Sequence, residues 1–312
     1  MKIIFFGTGS YSIVSLKRIV TTSHELVAVV TQPDKKKGRG WNMEPSPVKA
    51  VAGKILPGMD VFQPEKVSDP AFIDTLRTLE ADVFVVVDYG QILTSGILSL
   101  PGKYCVNLHP SLLPRHRGAS PVNYTILKGD PISGNTVIRM NERMDAGDII
   151  LQSCLEIRPG ENAGELLTRL STSGAELLVS ALDKIAAGTE QMSPQDDAKV
   201  TYAPRLKRAD GEIDWTRSAE EICRMVRAFY PWPGTYTYMN GRTLKILEAR
   251  ECGDMPPGPA GKLIVGDELI VNTSQGGVRI GSVQLEGKKP MDAVSFMRGL
   301  RDAEDVILGG KK

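Results

Sequence analysis

The chain has 312 residues, 41% of them hydrophobic, which is enough for two domains that each bury a core. A formal net charge of +1 excludes the strongly basic kind of protein that holds nucleic acid by bulk electrostatics, so any contact with RNA has to be local. The opening MKIIFFGTGS turns glycine-rich too early for a signal peptide, and no apolar run approaches the roughly eighteen residues of a membrane span; a cytoplasmic protein without a membrane partner is expected.

In chain order, Lys2 to Phe6 is a short apolar run closed by Gly7-Thr8-Gly9, and Ser12 to Val20 spaces its apolar residues along one helical face. Leu26 to Thr31 predicts a strand, Pro70 to Leu79 a helix, Val83 to Val87 a buried strand and Tyr104 to Leu108 another. This alternation predicts an α/β fold built on a doubly wound, mostly parallel sheet. Ile149-Ile150-Leu151 and Leu155 to Ile157 predict two further strands, and Ala163 to Ala187 carries a long helical pattern broken at most near Ser173-Gly174.

Residues 1–188 are therefore expected to form the first domain. The stretch 189–206 is polar, lacks apolar periodicity and contains Pro194 and Pro204, as a linker would. Residues 207–312 have a different texture: one helix over Ser218 to Phe229, capped by Ser218 with Glu220 and Glu221 in its first turn, then short strands. The strands fall at Gly234 to Met239, Thr243 to Ala249, Gly261 to Val265, Glu268 to Asn272 and Gly277 to Ile280, with turn signals at Asn240-Gly241 and Gly276-Gly277. That pattern predicts a small antiparallel barrel. Cys105, Cys154, Cys223 and Cys252 lack the spacing of a disulfide framework or metal site, so reduced thiols and no metal are expected.

Two segments could carry chemistry. Gly7-Thr8-Gly9-Ser10-Tyr11-Ser12 is a dinucleotide fingerprint with its third glycine replaced, and Asp34 is a poor ribose-binding acid, following Pro33 and preceding three lysines. A tight strand-to-helix turn accounts for it. The second segment is Asn107-Leu108-His109-Pro110-Ser111-Leu112-Leu113-Pro114, at the C-terminal end of a strand, where ligand sites of open α/β sheets lie. Residues two apart on a strand share a side, so Asn107 and His109 can converge.

An imidazole gives and takes protons near neutrality, and an amide can face developing negative charge without ionising. For either residue alone the alternative is a turn cap or a satisfied core histidine. Asp145, in the loop Arg143-Met144-Asp145-Ala146-Gly147-Asp148, adds a carboxylate that could orient the imidazole. Asn, His and Asp without a serine or cysteine nucleophile, and without metal-ligand spacing, point to direct transfer onto an incoming nucleophile.

Asn107 to Val122, NLHPSLLPRHRGASPV, together with Met144 to Ile149, MDAGDI, resembles the 10-formyltetrahydrofolate-dependent formyltransferases. The resemblance implies a Rossmann-like formyltransferase domain followed by an OB-like barrel, with Asn107, His109 and Asp145 as catalytic residues. It further implies a folate site lined by Ser111, Leu112, Leu113 and Pro114 and by Val87, Asp88, Tyr89 and Gly90, with 10-formyltetrahydrofolate as formyl donor.

Within that family, Pro33-Asp34-Lys35-Lys36-Lys37-Gly38-Arg39-Gly40 is similar to the basic loop by which the methionyl-tRNA formyltransferases reach the acceptor end of tRNA. Lysines seek phosphates, and Arg39 and Trp41 suit stacking on unpaired bases. Thr201 to Leu206, Gly211 to Trp215 and Arg227 to Gly234 resemble the junction and C-terminal domain of the same branch. The resemblance thus implies that Lys35, Lys36, Lys37, Arg39, Lys207 and Arg208 contact tRNA, with Arg217, Arg224 and Arg227 extending the face. It implies methionyl initiator tRNA as acceptor and folate as the other partner; a monomeric chain is expected.

Five positions, in three places, depart from the family pattern. Asp88 stands where a small apolar residue is usual before Tyr-Gly, Trp41, Asn42 and Glu44 replace a more basic stretch, and His116 replaces a large aromatic and has no catalytic role assigned. Three rival readings stay open: a small-amine formyltransferase using the same site, a nicotinamide-dependent oxidoreductase resting on the Gly7 turn, and a noncatalytic tRNA-binding protein.

Overall fold

The computed structural model describes residues 1–37, 42–253, 255, 258–300 and 306–310. By compactness the chain divides into two units, one of Met1–Pro121, Ile132–Glu156 and Leu167–Ala203, the other of Val122–Pro131, Ile157–Leu166 and Pro204–Lys312.

The elements from the N-terminus to residue 187 are β1 (Lys2–Gly7), α1 (Ser10–Val20), β2 (Glu25–Val30), β3 (Lys35–Lys37), β4 (Asn42–Glu44), α2 (Pro47–Ile55), β5 (Val61–Phe62), α3 (Pro70–Thr78), β6 (Val83–Val87), α4 (Ser95–Leu98), β7 (Tyr104–His109), α5 (Pro121–Leu127), β8 (Ile132–Arg139), β9 (Ile149–Glu156) and α6 (Ala163–Ala187). Seven strands form one sheet in the order β5-β2-β1-β6-β7-β8-β9. The first five run parallel, and β8 and β9 add antiparallel to the β7 edge. Strands buried on both faces read as unbroken apolar runs, and β6, VFVVV, is buried throughout.

From β1 the chain winds outward through β2 to β5 and returns to β6 on the other side, so the topological switch point lies between β1 and β6. Thr8 stitches it shut: its N–H donates to the Asp88 carbonyl at 3.1 Å and its hydroxyl to the Tyr89 carbonyl at 2.8 Å. Phe6 packs on Phe84 and Tyr89 with ring centroids 5.2 and 5.4 Å apart, so the residues after β6 are anchored in the core beneath this crevice.

Several local expectations change. Residues 149–157, expected as two strands, are one continuous strand to Glu156, because Gln152, Ser153 and Cys154 pair with Thr136, Asn135 and Gly134 of β8. The 25-residue helix α6 runs unbroken through Ser173-Gly174; the missing side chain at Gly174 lets Asn135 and Leu108 approach, since a methyl there would lie 2.9 Å from Asn135 Oδ1. In the basic loop, Lys35–Lys37 and Asn42–Glu44 pair as a short antiparallel ribbon, with Lys35 opposite Glu44. Residues 189–203, expected as linker, are bound to the first unit: Ser193 bridges Ile149, the Arg117 N–H donates to the Thr201 carbonyl at 2.9 Å, and the Ala203 N–H donates to the Arg117 carbonyl at 2.8 Å.

The second unit contains α7 (Ala219–Ala228), β10 (Thr235–Met239), β11 (Arg242–Cys252), β12 (Leu263–Val265), β13 (Leu269–Asn272), β14 (Gly277–Leu285), β15 (Met291–Asp292) and α8 (Ala293–Arg298). Ser218 and Glu221 form a reciprocal capping box at the start of α7. The strands make an antiparallel sheet ordered β10-β11-β14-β13-β12, with β15 on β14. Residues 306–309 bond to both edge strands or their flanks: the Val306 carbonyl accepts from the Leu263 N–H at 2.8 Å, the Leu308 N–H donates to the Gly261 carbonyl at 2.8 Å, and the Gly309 N–H donates to the Tyr238 carbonyl at 3.0 Å. These bonds close the sheet around Leu244, Val271, Val278, Val283 and Leu308, all buried.

Candidate active site

Strand β7 ends in Asn107, Leu108 and His109, and its neighbour β8 sets their register: Asn107 lies opposite Ile138, and His109 opposite Thr136. Between β8 and β9 the chain makes the loop that carries Asp145, whose φ of +51° lies in the left-handed region that aspartate tolerates better than most residues. The loop turns the carboxylate back toward the end of β7. Asn107 Nδ2 lies 3.5 Å from Asp145 Oδ1, and His109 Nδ1 lies 3.7 Å from Asp145 Oδ2.

The three side chains predicted from the sequence therefore meet, although Asp145 is 38 residues from Asn107. His109 is 4% exposed and Asp145 has 15% of its side chain exposed, so both stand where electrostatic interactions are only partly screened. On the other side of the imidazole, Nε2 lies 3.0 Å from the carbonyl oxygen of His116. A carbonyl only accepts, so Nε2 carries the proton, and Nδ1 is left facing the carboxylate. At 3.7 Å there is no hydrogen bond, yet a proton arriving on Nδ1 would meet the negative charge of Asp145.

Backbone groups hold the rest of the arrangement. The Gly118 N–H donates to Asp145 Oδ2 at 2.8 Å. Gly118 has φ +122°, and a side chain there would press on the Ala203 carbonyl at 2.7 Å, which explains the glycine. His116, also at positive φ, supplies its carbonyl to His109 while its N–H donates to Thr201 Oγ1 at 2.8 Å. Sequence reasoning gave His116 no part; its part here is played by the backbone.

The Ser111-Leu112-Leu113-Pro114 segment lies beside this cluster, pinned by a polar network from β8 and β9. Thr136 Oγ1 donates to the Ser111 carbonyl at 2.6 Å and accepts from the Leu113 N–H at 3.1 Å, and Gln152 Nε2 donates to the Leu113 carbonyl at 2.8 Å. The Ser111 hydroxyl donates to the Arg115 carbonyl at 2.7 Å, so Ser111 and the buried Leu113 are turned inward. At the end of β6 and in the turn that follows, Val87 and Tyr89 are buried, whereas Asp88 and Gly90 are exposed. Burial pushes the Tyr89 hydroxyl well above its ordinary range, which keeps it protonated.

Asp88, at φ +48°, is the unusual group. Although the residue as a whole is exposed, its carboxylate is folded against Gly9, so close that a methyl on Gly9 would collide with it. Loss of water around the carboxyl raises it from 3.8 to about 6. Asp88 also raises the buried Tyr11 hydroxyl, whose larger cause is burial itself and which donates to Asn135 Oδ1 at 2.7 Å. An acid over the glycine turn occupies and repels at the position where a dinucleotide would place its pyrophosphate. Asp34, the acid a ribose would require, is held instead by Lys49 Nζ at 2.8 Å and Gln63 Nε2 at 2.7 Å, and both contacts depress its carboxyl below the ordinary carboxylate range. The glycine turn is structural, and the oxidoreductase reading loses its footing.

The predicted tRNA contacts fall in two places. Lys35 and Lys36 are exposed on β3, Lys37 ends that strand, and Arg39, with Gly38, Gly40 and Trp41, lies outside the described residues. In the second unit Lys207 and Arg208 are exposed at a short 3-10 turn, Arg208–Gly211, where the Lys207 N–H donates to Asp210 Oδ2 at 2.6 Å. Among the described residues no group of histidine, cysteine and carboxylate side chains could hold a metal ion, and no helix is long and apolar enough to cross a membrane. The residue that sequence reasoning missed is Gln195, in the stretch expected as linker, whose amide grips the Asp145 loop.

Residues 1–182 match the formyl transferase family, and residues 205–301 match the C-terminal domain of formyl transferases. The chain is 41% identical over 302 residues to a methionyl-tRNA formyltransferase of Agathobacter rectalis, covering 96% of each protein. Among solved structures it resembles WlaRD, a sugar 3N-formyl transferase crystallised with dTDP and 5-N-formyl-THF, with a TM-score of 0.68 at 19% identity over 93% of this chain and 99% of that one. It also resembles HypX from Aquifex aeolicus in complex with tetrahydrofolic acid, with a TM-score of 0.64 at 17% identity over 95% of this chain and 47% of that one, so the chain spans about half of HypX. At such identities the two structural likenesses establish the fold.

Proposed function

The chain belongs to the formyl transferase family, in its methionyl-tRNA formyltransferase branch, and from that membership we propose that it carries the formyl group of 10-formyltetrahydrofolate to the free amine of methionyl initiator tRNA. The product is N-formylmethionyl-tRNA, used to start translation. The observation that carries the reading is the convergence of Asn107, His109 and Asp145 at the C-terminal end of β7, without a protein nucleophile among them.

The α-amine attacks the formyl carbon, a C–N bond forms, and the carbonyl oxygen takes up negative charge. Asn107 Nδ2 donates to that oxygen, and an amide does so without a charge of its own to desolvate; the His109 imidazole, whose Nε2 proton is bonded to the His116 carbonyl, donates from Nδ1 only once it has taken up a proton there. Collapse breaks the bond to N10 of the folate. The amine loses a proton and N10 gains one, and His109 is the group that moves it, with Asp145 compensating the charge of the imidazolium.

The folate is held, in this reading, against Ser111, Leu112, Leu113 and Pro114 and the turn Val87-Asp88-Tyr89-Gly90; Asp88 and Gly90 offer exposed groups, while the buried residues set the backbone. Lys35, Lys36 and Lys37, with Lys207 and Arg208, take the tRNA phosphates, positioning the acceptor without reading its sequence, and Arg39 is the residue that reaches its unpaired bases. The enzyme acts in the cytoplasm, as a monomer.

The test is formyl transfer to methionyl initiator tRNA, with methionyl elongator tRNA and a panel of small amines run beside it. Selective formylation of the initiator is expected. Formylation of a small amine with the tRNA left unmodified would keep the site and remove the tRNA assignment.

A further inference from the structure

Asp145 is held by a residue from a segment that carries no recognisable motif. Gln195 Nε2 donates to two carbonyls of the Asp145 loop at once, that of Asp145 at 2.8 Å and that of Gly147 at 2.7 Å. Its other amide atom, Oε1, accepts from Arg117 Nε at 3.0 Å and Nη2 at 2.8 Å. Arg117 is 3% exposed, and its guanidinium also reaches Asp197 Oδ1 at 3.2 Å.

Arg117 is the neighbour of Gly118, whose N–H binds the Asp145 carboxylate from the other direction. The contacts therefore form a ring: Asp145 side chain to Gly118, Gly118 to Arg117 along the chain, Arg117 to Gln195, and Gln195 back to the Asp145 backbone. The ring fixes both ends of one residue. The backbone at Asp145 is left-handed, a conformation that persists in a non-glycine residue only when its surroundings over-determine it, and the Gln195 clamp does so.

We propose that Gln195 is a positioning residue for the reaction, setting the distance from Asp145 to His109 through the loop backbone while Arg117 fixes the orientation of its amide. The proposal rests on the catalytic reading of Asp145. An amide is the required group, because one end must donate to two carbonyls and the other must accept from a guanidinium.

That requirement separates positioning from mere anchoring. Gln195→Glu keeps and strengthens the contact with Arg117 but turns an acceptor toward the carbonyls of Asp145 and Gly147, whereas Gln195→Met removes both contacts. The experiment measures kcat, and KM for folate and tRNA, for both variants beside Asp145→Asn, with thermal midpoints as a check on folding. Displacing a reacting group by a fraction of an ångström to an ångström costs about 10- to 100-fold, so kcat should fall by that amount in both variants with each KM within about twofold of the parent.

A Gln195→Glu enzyme with parental kcat, while Asp145→Asn is inactive, would overturn the proposal and leave Gln195 as an anchor for the 189–203 segment. If Gln195→Glu fails to fold, the same criterion applies to Gln195→Met. An active Asp145→Asn enzyme would overturn the catalytic reading itself, and this proposal with it.

Discussion

Asp145 Oδ2 faces His109 Nδ1 across 3.7 Å while the opposite edge of the same imidazole is tied to the His116 carbonyl at 3.0 Å. The ring is thus oriented from both sides, but the side toward Asp145 is left loose, with room to tighten when charge develops on the imidazole. Catalytic hydrogen bonds that are long in a free enzyme and shorten in the reacting complex have this form.

Asp145→Asn tests the charge rather than the geometry. The amide oxygen can still accept from the Gly118 N–H, so the loop should hold, but the negative charge opposite Nδ1 is gone. A fall in kcat of roughly 10² to 10⁴ is expected, with KM for the folate little changed, by steady-state kinetics. Parental kcat would remove Asp145 from proton handling.

Asp88 predicts an inverted pH dependence of stability. Its carboxyl is raised from 3.8 to about 6 in the fold, so between those values the folded chain holds a proton that the unfolded chain has lost. Stability therefore falls as pH rises through that window, the reverse of a salt-bridged aspartate. Asp88→Asn should match the parent at pH 4 and exceed it at pH 7.5. Because Asp88 keeps solvent contact, the gain should be about 1 kcal/mol. Chemical denaturation at the two pH values is the check, and an equal difference at both would contradict the account.

The lysines on the short ribbon should act on tRNA alone. Lys35→Ala with Lys36→Ala is expected to raise KM for methionyl-tRNA several-fold and to reduce the salt dependence of that KM by about one phosphate contact per lysine, with KM for the folate unchanged. Measuring KM at two salt concentrations separates this from a general loss of activity, which would lower kcat at both.

Gly147 carries the packing of the catalytic loop. A methyl there would run into the Arg139 carbonyl at the end of β8, and a backbone group cannot step aside as a side chain can. Gly147→Ala should cost about 2 kcal/mol in denaturant unfolding and lower kcat at least tenfold by moving Asp145. A stable variant with full activity would show that the loop tolerates displacement.

Much of this arrangement is legible in the sequence, for identifiable reasons. Tyr104 to Leu108 reads as a strand with Asn107 and His109 on one side at its end, where the structure carries it one residue further to His109, and α6 reads from its periodicity alone, because both depend on local pattern. Strand β8 is illegible by the same criterion. Its Ser133, Asn135 and Thr136 are buried, and distant partners satisfy two of them, Asn135 through Tyr11 and Thr136 through the Ser111 carbonyl, so no alternation marks the strand. The role of 189–203 was hidden similarly: Gln195 acts on residues 48 and 50 positions away and on Arg117, 78 positions away, and a polar stretch with prolines looks the same whether it hangs free or is bound along its length. Asp88 was visible as a departure, but its place against Gly9 depends on a left-handed backbone that the residue type alone does not dictate.

The most direct test of the account is single-turnover formyl transfer to methionyl initiator tRNA by Asn107→Ala beside the parent enzyme, at saturating 10-formyltetrahydrofolate. The side-chain hydrogen bond of Asn107 is a long one, 3.5 Å to Asp145, so replacing the side chain deletes a donor to the reacting oxygen at the cost of one weak contact. The chemical step should slow by about 10²- to 10³-fold, the usual consequence of losing one oxyanion donor. A rate near that of the parent would mean that the convergence of Asn107, His109 and Asp145 is not where the formyl group is transferred.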